Sequence, residues 1–325
     1  MSITRRSLLL GAACAPLATL LPRMAFAAPL FDSISMFVPA APGGGWDSTA
    51  RAIEAAARAA GLAGGFQFEN VAGAGGMVGL PKFVNQRKGQ GNALMVGGSV
   101  MVGAGIANKS PVTIRDVTPI ARLTEESSVI VVPAASPHKS WKDLATALAA
   151  NPKAVSVAGG SAGGTDHLLL GLLVRALKGN PKDAAYVAFS GGGQAVAAVI
   201  GNQVTAGISG YSEFAEHIKA GRLRALAVSG NKRIPGVDIP TLKELGTDVA
   251  AANWRGVFAP PGISPAQRQA LTDFMAALSK STAWHEVLEK REWTDVFLAG
   301  PAFQTELDRD LAETEAVMKS LGLAS

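Results

Sequence analysis

The chain has 325 residues, enough for two ordinary domains or one large one, and 48 % of them are hydrophobic against 17 % charged. This balance is typical of a globular protein and excludes a disordered one. The formal net charge of +5 falls once residues 1–27 are removed, because 27 basic residues then face 25 acidic ones. No basic stripe with interleaved aromatic residues remains, so we expect no nucleic-acid partner.

Residues 1–27 have the pattern of an export signal. Arg5 and Arg6 precede an apolar run, and an A-x-A cleavage site ends at Ala27. The apolar run is too short and too interrupted for a spanning helix, so we expect cleavage after Ala27 and a mature chain in the periplasm. The paired arginines favour the twin-arginine route over the general secretory one. Cys14 is the only cysteine, so the mature chain should have no disulfide.

The first predicted unit is a strand at residues 34–38, a glycine loop at residues 43–45, and a helix. Glycines let the backbone turn sharply and approach a ligand closely. Asp47 or Ser48 is expected to cap the helix. The amides and the dipole at such a helix end can bind an anion, although glycine loops also serve as plain connectors.

The same order of strand, glycine turn and helix recurs along the chain. Alternation of strands and helices predicts a parallel sheet, with ligands at the carboxyl ends of its strands. Several such turns predict a ligand with several negative groups. The further turns lie at residues 73–79, 159–165 and 190–194.

The C-terminal part has a different pattern. A strand at residues 254–259 is followed by three predicted helices with no strand between them. We expect these helices to cover the first sheet. They lie at residues 264–280, 284–291 and 301–321.

Five segments together resemble the periplasmic solute-binding receptors of tripartite tricarboxylate transporters, the TctC/Bug family. Trp46 and residues 94–103 are similar to its tricarboxylate-type branch. The resemblance covers essentially the whole mature chain. The segments are VPAAPGGGWDSTAR at 38–51, NVAGAGGMVG at 70–79, Gly-Gly-Thr-x-His at 163–167, the glycines at 191–193, and GRLRALAV at 221–228.

This resemblance implies a two-lobed periplasmic-binding-protein fold, in which two α/β domains are joined by two crossing strands. Domain one would be residues 28–124 plus 255–325, and domain two residues 125–254, with crossings near 122–128 and 252–256. The implied function is a monomeric receptor, not an enzyme. It would capture a small carboxylate, a tricarboxylate such as citrate, and deliver it to the large and small membrane subunits of a transporter.

The resemblance also implies that backbone amides of the glycine loops hold the ligand, with no cofactor and no metal. Ala40, Ala41 and Ala72 depart from the family pattern and leave pocket size and loop rigidity open. The implied ligand-binding residues are Gly43, Gly44, Gly45, Trp46, Asp47, Asn70, Gly75 and Ser99 in domain one, and Gly163, Gly164, Thr165, His167, Gly191, Gly192, Gly193, Gln194, Ser209, Tyr211 and Glu213 in domain two.

Alternatives remain at this stage. Residues 159–163 fit G-x-S-x-G, so a serine hydrolase with Ser161 as nucleophile is one, with His217 or His285 as a later histidine. A sensing receptor without transport is another. A dinucleotide site at residues 73–79 has the wrong glycine spacing.

Isolated charges and indoles have simpler interpretations. Glu125 and Glu126 are interpreted as solvated charges near the hinge. The later tryptophans are expected in the core or in an interface. They are Trp254, Trp284 and Trp293.

Overall fold

The computed structural model describes residues 29–190 and 192–324. The predicted export segment and Gly191 lie outside the described residues. The described part is an α/β protein, which confirms the predicted fold class. Its strands are β1 (Ile34–Val38), β2 (Phe66–Asn70), β3 (Ala93–Gly98), β4 (Thr118–Pro133), β5 (Val157–Gly159), β6 (Tyr186–Ala188), β7 (Ala206–Gly210), β8 (Leu223–Val228), β9 (Ala252–Ala259) and β10 (Thr294–Ala299).

The helices that start at Gly45, Thr165 and Gly192 begin at predicted glycine turns. The helix at Trp141–Ala150 is capped by Ser140, whose hydroxyl accepts a hydrogen bond from the Asp143 N–H. The helices are α1 (Gly45–Ala59), α2 (Gly79–Gln86), α3 (Ser99–Ala107), α4 (Trp141–Ala150), α5 (Thr165–Ala176), α6 (Gly192–Ile200), α7 (Tyr211–Lys219), α8 (Pro265–Ser279), α9 (Thr282–Arg291) and α10 (Gly300–Leu321).

The sheet is mixed. β1 pairs in parallel with β2 and β3, and β5 pairs in parallel with β6 and β7. These are the strands that alternate with helices in the sequence. β9 is antiparallel to both β3 and β4, and β7, β8 and β10 are antiparallel to β4. The prediction of a parallel sheet is therefore right for the two βα series and wrong for the strands that connect them.

Strand β4 takes part in both halves of the molecule. Its first half, Thr118–Ser127, pairs with β9 and β10, and its second half, Ser128–Pro133, pairs with β7 and β8. Below, lobe one denotes residues 29–127 and 252–324, and lobe two denotes residues 128–190 and 192–251. The buried apolar side chains divide in the same way, with one cluster in lobe one and two in lobe two.

Two local predictions are wrong, and one helix was missed. Helix α3 was not predicted, because its sequence SVMVGAGIA lacks the polar face that gives a helical period. Strand β10 lies between α9 and α10, where no strand was expected, and its exposed or half-buried residues give no apolar alternation. Helix α1 is not capped by Asp47 or Ser48, because it begins at Gly45 with no side-chain cap.

Candidate ligand-binding cleft

A cavity of about 80 Å³ lies between the two lobes, and both contribute to its wall. Three of the lining residues are the first residues of helices: Gly45 of α1, Thr165 of α5 and Gly192 of α6. The described residues that line it are Pro39, Ala40, Gly44, Gly45, Trp46, Gly73, Gly75, Gly76, Val100, Gly160, Ser161, Thr165, Asp166, Ser190, Gly192, Ser209, Gly210, Glu213, Asn253 and Arg255.

Two polar side chains that do not line the cavity form hydrogen bonds with the loop before α1. The Asp47 carboxylate accepts a hydrogen bond from the Gly43 N–H at 3.0 Å. The Asn70 amide donates to Asp47 at 3.0 Å and to the Ala40 carbonyl at 3.1 Å. These bonds fix the direction in which the chain enters α1. Asp47 and Asn70 therefore shape the loop without lining the cavity.

Trp46 and the turn after β2 form an apolar wall. Trp46 is only 6 % exposed and lies against Gly76, where a Cβ would come within 3.0 Å of the indole ring. Gly75 and Gly76 have φ values of +62° and +92°, in the region that glycine adopts without strain. The turn can therefore approach the indole only as glycine.

The loop before α5 is fixed by an aromatic pair. His167 Nδ1 accepts a hydrogen bond from the Gly163 N–H at 3.1 Å, and its ring stacks on Tyr186 with centroids 4.4 Å apart. The Tyr186 hydroxyl donates to the Gly160 carbonyl at 2.8 Å. Burial lowers the pKa of His167, which favours the neutral ring that can accept this bond.

Asp166 lies in the wall of the cavity and is 8 % exposed. Its Oδ2 accepts a hydrogen bond from the Gly160 N–H at 2.9 Å. Burial, helped by the negative charges of Glu213 and Glu126, raises the pKa of Asp166 to about 7.

A buried ion pair crosses between β4 and β9. Arg255 Nη2 lies 2.6 Å from Glu126 Oε2, and both side chains are 2 % exposed. Glu126 also accepts from the Ser212 N–H at 2.7 Å. The interpretation of Glu126 as a solvated charge is therefore wrong, because its partner lies on a strand far along the chain. Glu125 is half-buried and pairs with Arg122 instead.

Glu213 is the second carboxyl group in the cavity wall. Its Oε2 accepts a hydrogen bond from the Ser209 hydroxyl at 2.8 Å. Burial and the charge of Glu126 raise the pKa of Glu213, whereas Arg255, Ser209 and the Gly45 N–H oppose that shift.

Three side chains of the cavity wall contain buried polar atoms with no hydrogen-bond partner among the described residues. They are Thr165 Oγ1, Asn253 Oδ1 and Arg255 Nη1. Buried polar atoms are normally hydrogen-bonded, and leaving one unpaired is costly. These atoms are therefore suited to contact a polar ligand.

The structure places eight of the predicted site residues in the cavity wall and ten outside it, while Gly191 is outside the described residues. Those in the wall are Gly44, Gly45, Trp46, Gly75, Thr165, Gly192, Ser209 and Glu213. Those outside it are Gly43, Asp47, Asn70, Ser99, Gly163, Gly164, His167, Gly193, Gln194 and Tyr211. Ser99, for example, accepts a hydrogen bond from the Trp254 N–H at 3.0 Å.

Sequence reasoning included Glu213 but missed three other charged or amide side chains of the wall, Asp166, Asn253 and Arg255. A signal existed for Arg255, because it is a lone charge within the otherwise apolar half of β9. Asp166 fills the variable position of the Gly-Gly-Thr-x-His segment, where the pattern itself gives no information.

The hydrolase alternative lacks its catalytic geometry. Ser161 lines the cavity, but within the described parts of the chain no hydrogen bond links its hydroxyl to a histidine or a carboxylate. A nucleophile needs such a base within hydrogen-bond reach. The nearby His167 uses Nδ1 for the Gly163 amide.

Residues 29–190 and 192–324 contain neither a cluster of metal ligands nor a membrane-spanning helix. No group of three or more His, Cys, Asp or Glu side chains there could hold a metal ion. No helix there is both long and apolar enough to cross a membrane.

Two lobes linked by shared strands, with helix N-termini around a cavity between them, define a solute-binding protein of the periplasmic type. The model of the tripartite tricarboxylate transporter family receptor, TctC, matches residues 50–323. The chain belongs to this family, whose members are solute-binding receptors and not enzymes.

Known proteins agree with this assignment. Protein BugT of Bordetella pertussis is 29 % identical over 239 residues, covering 71 % of this chain and 72 % of BugT. The solved structure of the periplasmic binding protein BugD is similar in fold, with a TM-score of 0.80 over 90 % of this chain and 98 % of that one at 22 % identity. The structure of MatC from Rhodopseudomonas palustris with bound malate has a TM-score of 0.73 and 26 % identity, covering 89 % of this chain and 99 % of that one.

Proposed function

We propose that this receptor captures a small carboxylate in its cleft and delivers it to the large and small membrane subunits of a tripartite tricarboxylate transporter. It would act as a monomer in the periplasm after removal of residues 1–27. The observation that carries the proposal is the meeting of the first residues of α1, α5 and α6 at one cavity. Helix N-termini offer unpaired N–H groups and a positive dipole end to an anion.

The polar atoms that lack partners support the same class of ligand. Arg255 is 2 % exposed, and its Nη1 has no hydrogen-bond partner among the residues described. A ligand carboxylate would supply acceptors for it. Asn253 Oδ1 needs a donor, which a ligand hydroxyl group would supply. Both groups occur in malate, the ligand in the MatC structure, and in citrate.

Citrate, the sequence-based candidate, and malate differ in charge. Asp166 and Glu213 place two carboxyl groups in the wall, and these disfavour a ligand with three negative charges more than one with two. We therefore propose a small carboxylate as the ligand class and treat citrate and malate as the first candidates to compare.

The test of ligand capture is a melting panel. Residues 28–325 are freed of bound ligand by partial unfolding and refolding, and are then melted with monocarboxylates, dicarboxylates and tricarboxylates. A ligand at 100 times its Kd adds about 2.7 kcal/mol, which is worth a few degrees in a chain of this size. Stabilisation by one or more carboxylates is expected. Stabilisation by none of them would overturn the proposal.

The test of delivery uses vesicles that contain the two membrane subunits. Uptake of the labelled carboxylate should require the receptor and should fall with Arg255→Met, which weakens capture. Glu313→Gln is a control, because Glu313 lies on the exposed side of α10 and does not line the cavity. Uptake that does not depend on the receptor would contradict a role in transport and favour sensing alone.

A further inference from the structure

Asp166 is a buried acid with no cation beside it. The residues described give neither Asp166 nor Glu213 an ion pair, whereas Glu126 is paired with Arg255 at 2.6 Å. The Asp166 carboxyl accepts a hydrogen bond from the Gly160 N–H, and the Thr165 side chain lies close to it. Asp166 nevertheless lines the cavity together with Arg255.

The groups that face Asp166 come from every element around it. Glu213 of α7 and Glu126 of β4 act on Asp166 through their negative charges, and Arg255 of β9, which lines the same cavity, acts on Glu213. Tyr186 of β6 contributes a neutral hydroxyl, because burial raises the pKa of that phenol. His167 of α5 is also neutral, as described above. With Asp166 and Glu213 both ionised, three carboxylates would therefore face one guanidinium.

This arrangement conflicts with the capture of an anion unless one carboxyl group is neutral. The helix N-termini and the unpartnered Arg255 Nη1 attract a carboxylate, whereas ionised Asp166 would repel it. A protonated carboxyl group removes the repulsion and adds an O–H donor. Resting on the function proposed above, we propose that the receptor binds its carboxylate together with a proton, and that Asp166 enters the complex as a neutral acid that donates a hydrogen bond to the ligand.

Asp166 fits this role better than Glu213. Glu213 receives a hydrogen bond from the Ser209 hydroxyl at 2.8 Å, and the nearby Arg255 also favours its ionised form. Asp166 has no cation to favour its ionised form, and although the Gly160 N–H and the nearby Thr165 side chain oppose the shift, burial raises its pKa to about 7. A ligand anion would raise that pKa further, because it disfavours the second negative charge.

The sign of the pH effect follows from this shift. Below about pH 7 Asp166 is already protonated in the free receptor, so binding takes up little proton there. Above about pH 7 Asp166 is ionised in the free receptor and protonated in the complex, so binding takes up as much as one proton. The Kd should then rise by up to tenfold for each pH unit above about 7.

The experiment is titration calorimetry of the full mature chain. The probe is citrate or malate, whichever stabilises the receptor more in the melting panel. Titrations at about pH 8 in phosphate and in Tris, whose ionisation enthalpies differ, give the number of protons taken up. We expect between about half a proton and one proton, and a Kd that rises between about pH 7.5 and pH 8.5.

Asp166→Asn keeps the shape of the side chain and an N–H donor. It should still bind the probe, but with proton uptake near zero and a Kd that no longer depends on pH over this range. Glu313→Gln removes a carboxylate on the exposed side of α10 and should behave as wild type. If Asp166→Asn fails to fold, the wild-type titrations in two buffers still show whether a proton is taken up on binding.

The outcomes separate the two proposals. Binding without proton uptake, or uptake that persists in Asp166→Asn, would overturn the role of Asp166 and leave the receptor function intact. Proton release, or affinity that rises with pH, would also overturn it and would indicate a ligand whose ammonium group pairs with ionised Asp166. Stabilisation by no carboxylate at all would overturn the receptor function itself, and this inference with it.

Discussion

At the scale of single residues, Gly192 determines how closely the first turn of α6 approaches α7. A Cβ at this position would overlap the Glu213 carboxylate, which the Ser209 hydroxyl holds in place. The neighbouring Gly193 has no atom within 4 Å of its own Cβ position. The two adjacent glycines therefore have different roles, although the sequence presents them as one run.

Gly192→Ala should displace Glu213 and widen the cleft. We expect the Kd for the captured carboxylate to rise at least tenfold, and the free energy of unfolding to fall by about 1–3 kcal/mol, which is typical of overpacking. Calorimetry and urea unfolding measure the two effects. Gly193→Ala is the matched control and should bind as wild type. Equal effects of the two variants would show that helix geometry, and not contact with Glu213, is responsible.

The glycine turns of the cleft could be predicted from the sequence, whereas most of the charged side chains in its wall could not. Glycine turns at the ends of strands are local patterns, and Gly44, Gly45 and Gly75 do line the cavity. The Glu126–Arg255 pair joins residues 129 positions apart, so no local pattern reveals it. Side-chain burial in a cleft depends on tertiary packing, which hydrophobic periodicity does not describe.

At the scale of elements, β4 runs from lobe one into lobe two, and a buried ion pair joins it to β9 of lobe one. Breaking a buried pair leaves one charge without its partner, which typically costs about 3–5 kcal/mol. The neighbouring Glu125 pairs with Arg122 at 3.0 Å, but both side chains are partly exposed, at 30 % and 16 %. Exposed pairs contribute about 1 kcal/mol or less.

Glu126→Ala should therefore lower the free energy of unfolding by about 3 kcal/mol, at the low end of that range because Glu213 also lies near Arg255. Glu125→Ala removes the same atoms from the adjacent position of β4 and should cost about 1 kcal/mol or less. Denaturant unfolding of both variants checks the difference. Similar losses in the two variants would contradict the importance of the buried pair.

Element prediction succeeded where a local period or a cap is present and failed elsewhere. The capping box at Ser140 and Asp143 marks the start of α4 in the sequence itself. Helix α3 is apolar on all sides because it packs against lobe two on one side and the core of lobe one on the other. It therefore has no polar face from which a helical period could be recognised. Strand β10 is specified by pairing with β4, which is a long-range contact.

At the scale of the whole molecule, α3 of lobe one contacts the glycine loop of lobe two beside the cavity. A Cβ at Gly103 would overlap the Gly163 carbonyl oxygen, and a Cβ at Gly163 would overlap Ala107. The lobes can meet this closely only because both positions are glycine. We infer that this arrangement is the closed one, in which lobe contact and the cavity wall form together.

Closure can be tested by a single methyl group at this contact. Gly103→Ala should favour α3 itself, because alanine is the better helix former, and should hold the lobes apart. The apparent Kd rises as the fraction of molecules able to close falls, so we expect an increase of at least tenfold. Small-angle X-ray scattering should show a larger radius of gyration with saturating ligand than for wild type.

Gly105→Ala adds the same methyl group two positions along α3, where the nearest atom would be Met77 Sδ at 3.7 Å, an ordinary contact. This variant should close and bind as wild type, which separates closure from helix stability. If Gly103→Ala also compacts on binding and keeps the wild-type Kd, then capture does not require this lobe contact. The ligand would in that case be held by one lobe, and the helix N-termini of α5 and α6 in lobe two would have to supply the anion site without α1.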